Sequence, residues 1–240
     1  MQALTERLRR DCPWDREQTA RTIVPHTIEE AYEVADAVLA GDDEKLLDEL
    51  GDLLFQVYFL ALLLEEQGKG GLVQVARLIH EKLVRRHPHV FGDVEAETGE
   101  RVKENWERIK REQEGRAGVF HDVPGTLPAL LQARKVQQRA KAVGFDYPDV
   151  EGALADLDSE IAELKVDLDP EELGDVFFAA VNVARKLKVD PELELRRANE
   201  RFRRRVEVAE QLARANGEDW SALPLDRQDH YFDRAKETIS

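Results

Sequence analysis

The chain has 240 residues, of which 42% are hydrophobic and 35% charged, and it carries a net charge of −15. This composition allows a folded core, and the excess of acid argues against binding to duplex nucleic acid, which requires a basic surface. The longest apolar stretch, 53–64, is shorter than a membrane span and contains Gln56. A single cysteine, Cys12, and an N-terminus without a signal-peptide pattern complete the prediction of a soluble, cytoplasmic protein with no internal disulfide.

Apolar residues recur at helical spacing along most of the chain, whereas strand signals are scarce. This periodicity predicts an all-α fold, with helices at about 17–40, 43–67, 71–87, 99–114, 127–143, 149–166, 170–188, 191–215 and 226–238. Four glycines follow periodic runs and suit left-handed C-terminal caps: Gly41, Gly68, Gly144 and Gly217. Two Asp-Pro-Glu segments, at 169–171 and 190–192, have the acidic N-cap and first-turn proline that begin a helix.

One segment interrupts the helical pattern. Residues 115–128, GRAGVFHDVPGTLP, contain three glycines and two prolines, which favour turns. We therefore predict an N-terminal domain at 1–115, a linker at 116–126 and a C-terminal domain at 127–240.

The stretch LLDELGDLLF, residues 46–55, places three acids, Asp48, Glu49 and Asp52, inside an otherwise apolar run. Charged carboxylates are costly there unless they are paired or bind a cation. The segment PEELGDVFFAA, residues 170–180, repeats the pattern, so that Glu172 and Asp175 match Glu49 and Asp52. Asp48 matches Glu171 and is the less certain member of the set.

The repeat extends in both directions. Upstream, EEAYEV (29–34) aligns with SEIAEL (159–164), which pairs Glu30 with Glu160 and Glu33 with Glu163. Downstream, HEKLVRR (80–86) aligns with NERFRRR (199–205), and NWERIK (105–110) aligns with YFDRAK (231–236). Both halves thus have the same order of E-x-x-E, E-x-x-D, a basic helix and an aromatic residue followed by lysine.

Residues three apart lie on one helix face, so antiparallel packing of the two acidic helices would bring four carboxylates together. Four such anions repel one another, and a bound cation would remove the repulsion. Ligands that are all oxygen favour Mg²⁺, or Mn²⁺, over zinc. A lone E-x-x-E is more often a solvated face, and E-x-x-D in an apolar helix is as often a buried salt bridge. The duplication favours the metal site, and the helical wheel predicts that Asp52 points inward, beside Phe55 and Phe59.

These segments resemble the MazG family of nucleoside triphosphate pyrophosphohydrolases, and the resemblance covers nearly the whole chain. It is carried in the first half by CPWDREQT (12–19), EEAYEV, ELGDLLFQV (49–57), RRHPHVFGD (85–93) and NWERIKREQ (105–113). In the second half it is carried by residues 127–149 and the second acidic set. It implies tandem all-α helical bundles that form a homodimer. It also implies a Mg²⁺-dependent hydrolase that cuts NTPs or dNTPs between the α- and β-phosphates, giving a nucleoside monophosphate and pyrophosphate.

The resemblance also implies roles for matching residues. The metal ligands would be Glu30, Glu33, Glu49 and Asp52 in one half and Glu160, Glu163, Glu172 and Asp175 in the other. A catalytic base is expected among Glu30, Glu33, Glu160 and Glu163. The substrate-binding residues would be Lys82, Arg85, Trp106, Lys110, Arg201, Arg204, Arg205, Phe232 and Lys236.

The second half departs from this pattern at three positions. Ser159 stands where the first half has Glu29, Arg201 stands opposite Lys82, and Phe232 replaces a tryptophan. These differences leave open whether both sites work equally. Two alternatives also stay open: a helical interaction protein whose acidic sites are relics, and a hydrolase narrow for one nucleotide.

Overall fold

The computed structural model describes residues 1–92, 98, 99, 101, 102, 105, 109, 118–120 and 123–239. These residues form helices and turns, and this part of the chain contains no strand, which confirms the all-α prediction. The chain divides into two compact units, Met1–Gly118 and Val119–Ser240. The division falls inside the predicted linker, while the assignment of tandem domains to 1–115 and 127–240 stays a prediction.

The first unit is organised around a long helical hairpin. Its helices within residues 1–92 are α1 (Gln2–Asp11), α2 (Pro13–Glu17), α3 (Ala20–Ala40), α4 (Asp43–Glu66), α5 (Leu72–Arg86) and α6 (Pro88–Phe91). Helices α3 and α4 pack along each other, and α1 packs against α4. The sequence predicted α3, α4 and α5 to within a few residues but missed the short helices α1, α2 and α6. The predicted helix at 99–114 lies largely outside the described residues.

The second unit contains a similar hairpin. Its helices are α7 (Ala129–Lys141), α8 (Val150–Val166), α9 (Pro170–Lys186), α10 (Pro191–Ala215) and α11 (Leu225–Thr238), with a single 3₁₀ turn at Trp220–Ala222. Helices α8 and α9 form the hairpin, while α10 packs against α11. All five helices were predicted, and the bounds of α10 agree at both ends.

The predicted helix ends have the expected geometry. Gly41 ends α3 with φ of 68°, which lies in the left-handed region. A residue with a side chain would be strained in this conformation, so glycine suits the position. Asp42 follows at once, and its side chain accepts a hydrogen bond from the Lys45 backbone at 2.9 Å, which begins α4. The chain therefore reverses direction within two residues. In the second unit Asp169 caps α9 by accepting from the Glu171 backbone at 2.9 Å.

Each unit has its own small core. In the first, Phe59 is fully buried with Ile23 and Leu63, and burial of such a phenylalanine stabilises the fold by about 2–3 kcal/mol. In the second, the buried cluster is formed by Ala209, Ala213, Tyr231 and Ala235. The small alanines let α10 and α11 approach closely around the Tyr231 ring. No helix among the described residues is both long and apolar enough to cross a membrane.

Candidate active site

The hairpin of α3 and α4 brings together the four acids predicted in the first half. Glu30 on α3 meets Glu49 and Asp52 on α4, and a carboxylate oxygen of each lies within 4.8 Å of the other two. Glu33, one turn along α3, lies close enough to act on Glu49 by charge and by a hydrogen bond. We call these four residues the first acidic cluster.

The environment of this cluster opposes ionisation. Burial raises the pKa of Glu30, and the charges of Asp52 and Glu33 raise it further. Burial, the charge of Glu33 and its hydrogen bond also raise the pKa of Glu49, which is only 7% exposed. Lys45, with Nζ 3.8 Å from Glu49 Oε1, acts in the opposite direction. A cation that approaches these acids would therefore stabilise their charged forms.

The predicted inward position of Asp52 is wrong. Asp52 is exposed, and the buried acid of α4 is Glu49. The wheel direction itself is correct, because Phe59 and Leu63 on the same side of α4 are buried in the core. The buried core does not extend along α4 as far as Asp52. At the level of Asp52, α4 faces the acids of α3 instead. An exposed carboxylate in this place is accessible to a ligand from solvent.

The hairpin of α8 and α9 builds the second acidic cluster, which consists of Glu160, Glu163, Glu172 and Asp175. Oxygens of Glu160, Glu163 and Glu172 lie within 4.8 Å of one another. Burial raises the pKa of Glu160 and of Glu172. The negative charges of Glu163 and Asp175 raise both pKa values further. All four predicted acids of this half are thus near neighbours.

The two clusters are alike in construction but differ in detail. In the first, the acid outside the group of three is Glu33; in the second, it is Asp175. Ser159, which replaces Glu29, donates a hydrogen bond from Oγ to Glu163 Oε1 at 3.2 Å. The substitution thus exchanges a carboxylate for a hydroxyl that orients one of the clustered glutamates.

The residues present fit a hard divalent cation. Each cluster offers carboxylate oxygens from two helices, and the described residues of the groups include no histidine or cysteine. Such ligands favour Mg²⁺ or Mn²⁺ in proteins. The pKa values of these acids are raised first by burial and then by mutual repulsion, and a cation would relieve the repulsion.

The structure describes two of the four predicted substrate-binding residues of the first half. Lys82 and Arg85 lie on α5 with exposed side chains. Trp106 and Lys110 lie outside the described residues. The role of all four in substrate binding stays a prediction.

In the second half three of the predicted cations already have partners within the unit. Arg204, on α10, pairs with Glu200 at 2.8 Å, and Arg205 donates to the Ile239 carbonyl oxygen at 3.2 Å. Lys236 pairs with Asp233 at 2.8 Å and lies 5.0 Å from the centre of the Phe232 ring. Phe232 in turn packs beside the Tyr231 core cluster, and Arg201 is exposed on α10. Arg204, Arg205 and Lys236 would have to exchange partners to reach a phosphate.

Two contacts beside the clusters were not predicted. The exposed Trp14 ring lies edge-on to His26, with the ring centres 5.9 Å apart. In the second unit the Tyr147 hydroxyl donates to Asp156 Oδ1 at 2.6 Å. Positions 26 and 156 correspond in the repeat, since each stands four residues before the first clustered glutamate. This correspondence was not predictable from the residue types, because histidine and aspartate are chemically unlike.

Comparison with known proteins agrees with this arrangement. Residues 18–91, which contain the first acidic cluster, match the family model of the MazG nucleotide pyrophosphohydrolase domain. The chain is 41% identical over 237 residues to the nucleoside triphosphate pyrophosphohydrolase of Escherichia coli, covering 94% of this chain and 90% of that protein. It is 40% identical over 242 residues to the nucleoside triphosphate pyrophosphohydrolase/pyrophosphatase MazG of Thermotoga maritima, covering 98% and 93%. The chain belongs to the MazG family of nucleotide pyrophosphohydrolases.

Proposed function

We propose that this protein hydrolyses nucleoside triphosphates, NTPs and dNTPs, between the α- and β-phosphates and releases a nucleoside monophosphate and pyrophosphate. The observation that carries the proposal is the carboxylate cluster repeated in both units, where one oxygen from each of three acids lies within 4.8 Å of the others. The similarity to the Escherichia coli and Thermotoga maritima enzymes, which extends over most of each chain, supports the same activity.

The proposed cofactor is Mg²⁺, with Mn²⁺ as an alternative. The first acidic cluster would hold it in one unit and the second acidic cluster in the other. When bound, the cation would lower the pKa of a coordinated water and neutralise charge on the phosphate oxygens. The protein's own contribution is to present the carboxylates from paired helices whose packing fixes their separation.

The triphosphate carries about four negative charges, so an acidic site must also supply cations. We assign this role to Lys82, Arg85 and Lys110 in the first half. In the second half we assign it to Arg201, Arg204, Arg205 and Lys236. Trp106 in the first half and Phe232 in the second would line the nucleotide pocket. Charge-assisted hydrogen bonds from these side chains would stabilise negative charge that develops on the leaving pyrophosphate.

The attacking water must lose a proton. We assign the acceptor in each unit to one glutamate of the E-x-x-E pair: Glu30 or Glu33 in the first and Glu160 or Glu163 in the second. The water oxygen forms a bond to phosphorus, the bridging oxygen leaves with its electron pair as part of pyrophosphate, and the glutamate takes the proton. Glutamine in place of the acting glutamate would abolish this step.

A homodimer is part of the proposal. On α4 the residues Leu47, Leu50, Leu54 and Val57 follow one another at spacings of three and four residues and are 73%, 45%, 47% and 39% exposed. This spacing forms one apolar stripe along the helix. Cover by a second copy would remove the stripe from water, which supports the dimer.

Product analysis tests the proposed activity. The purified chain is incubated with Mg²⁺ and a panel of NTPs and dNTPs, and the nucleotide and phosphate products are separated and quantified. We expect equal amounts of nucleoside monophosphate and pyrophosphate. Nucleoside diphosphate with orthophosphate would mean cleavage at the other anhydride bond, and no product from any nucleotide would overturn the proposed activity.

A further inference from the structure

Each unit holds a side-chain contact at the same distance along the helix from its acidic cluster. His26 is four residues before Glu30, and Asp156 is four residues before Glu160. On a helix such residues lie on one face, with Cβ atoms about 5–6 Å apart. Trp14 contacts His26, and Tyr147 contacts Asp156. In both units, therefore, an aromatic side chain contacts the residue that lies one helical turn from the proposed metal-binding acids.

This spacing is compatible with a bound nucleotide. Its phosphates would lie at the acidic cluster, and its base is separated from the phosphates by the sugar. One turn of helix, about 5.4 Å, is comparable to the breadth of a sugar ring. Trp14 is 53% exposed and Tyr147 39%, so both residues have a surface available to a ligand.

In the second unit, hydrogen bonds of the residues that flank Tyr147 fix the position of the Tyr147–Asp156 contact. Asp146 accepts hydrogen bonds from Arg185 and Lys186, and Lys186 also donates to the Tyr147 carbonyl oxygen. Asp149 caps the next helix by accepting from the Gly152 backbone at 2.9 Å. The backbone on both sides of Tyr147 is thus anchored, and the hydroxyl orients the Asp156 carboxylate. A preorganised carboxylate is suited to recognise a ligand group.

The two contacts differ in chemistry. Trp14 and His26 offer ring surfaces, and base–aromatic stacking is tolerant of sequence because every base has a π-face. Asp156 offers a carboxylate, and its Oδ2 accepts no hydrogen bond from the described part of the chain. A carboxylate accepts from the exocyclic amino group of cytosine but repels the carbonyl oxygen at the same position of uracil or thymine.

We propose that these contacts are base-recognition positions, that Asp156 makes the second unit favour cytosine over uracil nucleotides, and that Trp14 with His26 lets the first unit accept any base. The inference rests on the proposed function in taking the acidic clusters as the phosphate end of the site. It goes beyond that function by assigning base selectivity to named residues and by making the two units unequal.

The test uses the full chain with the first acidic cluster neutralised by Glu49→Gln and Asp52→Asn. In this background we measure the affinities of the α,β-methylene analogues of CTP and UTP in Mg²⁺ by calorimetry, and kcat/KM for CTP and UTP. We expect a preference for the cytosine nucleotide of about 5- to 150-fold, which corresponds to 1–3 kcal/mol for a specific base contact. Asp156→Asn should bring this ratio close to one. The matched control, Asp158→Asn, changes an exposed acid two residues along the same helix and should leave the ratio unchanged.

The reciprocal background, Glu172→Gln with Asp175→Asn, isolates the first unit. There we expect similar affinities for the two analogues, and Trp14→Ala should weaken both by a similar factor, whereas Trp14→Phe keeps a ring and most of the affinity. A CTP/UTP ratio that does not respond to Asp156→Asn, or no binding of either analogue to the second unit, overturns the inference. If the analogues bind with the expected ratio but no nucleotide is cleaved, the proposed function fails and the base-recognition assignment stands.

Discussion

Arg9 on α1 and Glu66, the last residue of α4, form two parallel hydrogen bonds of 2.8 and 2.9 Å. The same guanidinium donates to three backbone carbonyl oxygens, of Asp15 at 2.6 Å, Arg16 at 2.9 Å and Gln18 at 3.0 Å. One side chain thus joins α1, the end of α4 and the segment that carries Trp14. The Arg9 side chain is only 19% exposed, whereas that of Glu66 is 40% exposed, so the guanidinium is the shielded member of the pair.

We predict that Arg9→Ala lowers the free energy of unfolding by about 2–4 kcal/mol, since it leaves carbonyl oxygens and a carboxylate without their donor. Arg10→Ala is the matched control, because Arg10 pairs with Asp11 at the surface, where the side chains are 70% and 53% exposed. The control should change stability by less than about 0.5 kcal/mol. Denaturant unfolding of the two variants measures both effects, and equal effects would mean that Arg9 does not join these segments in solution.

Asp146 in the second unit predicts a pH-dependent contribution to stability. Burial opposes its ionisation, but hydrogen bonds from Arg185 and Lys186 prevail and lower the pKa of Asp146 to about 2. Because the folded pKa lies below the unfolded value, the contribution is present above about pH 4 and is lost as the pH falls toward 2. We expect Asp146→Asn to cost about 2 kcal/mol at pH 6, with a cost that shrinks as the pH is lowered.

Unfolding of wild type and Asp146→Asn at several pH values between 3 and 7 tests this prediction. Asp158→Asn serves as control, since Asp158 is exposed. A difference between wild type and Asp146→Asn that stays constant over this range, or grows at low pH, would refute the proposed ion pair.

The acidic clusters predict opposite effects of pH and metal. The raised pKa values of Glu30, Glu49, Glu160 and Glu172 mean that, without metal, the folded state holds protons more tightly than the unfolded state. Stability of the metal-free protein should therefore fall as the pH rises through these values. Added Mg²⁺ should restore it by binding the folded state, by about 2.7 kcal/mol at 100 times Kd.

Asp52→Asn tests the origin of this behaviour. It should raise the melting temperature of the metal-free protein, because it removes one repelling charge, and should reduce the further increase that Mg²⁺ produces. Asp48→Asn changes an exposed acid in the same segment that lies outside the group of three and should alter neither value. Identical Mg²⁺ responses of the two variants would argue against a cation at the first acidic cluster.

The apolar stripe of α4 predicts the oligomeric state. We expect light scattering to give twice the 27.4 kDa chain mass for the wild type. Leu54→Glu should place a charge in the covered stripe and shift the mass toward that of one chain. Leu225→Glu is a suitable control, because Leu225 is 71% exposed at the start of α11 and outside the stripe. A dimer that survives Leu54→Glu would place the interface elsewhere.

The parts of the fold that depend on local chemistry could be predicted from the sequence. Helix α10 begins at an Asp-Pro-Glu segment and α3 ends at Gly41 with φ of 68°, since caps and left-handed glycines act over a few residues. The meeting of Glu30 with Glu49 was also predictable, because two adjacent helices joined by a short turn pack side by side.

What could not be predicted depends on distant contacts or on the depth of the core. The Arg9–Glu66 pair joins residues 57 apart, and neither has a distinctive local pattern. Helix α2 has only five residues, too few for a helical period. Asp52 was given the correct direction on α4 but the wrong exposure, because a helical wheel does not show where the core ends.

We propose that the protein hydrolyses the α–β phosphate bond at the acidic clusters. The most direct measurement is Mg²⁺-dependent pyrophosphate release from CTP by the wild type, by Asp52→Asn with Asp175→Asn, and by the control Asp48→Asn with Glu171→Gln. We predict pyrophosphate and CMP in equal amounts from the wild type and the control, and a rate at least about 100-fold lower when both clusters are altered. Orthophosphate as the product, or an undiminished rate in the cluster variant, would mean that the acidic clusters do not carry out this hydrolysis.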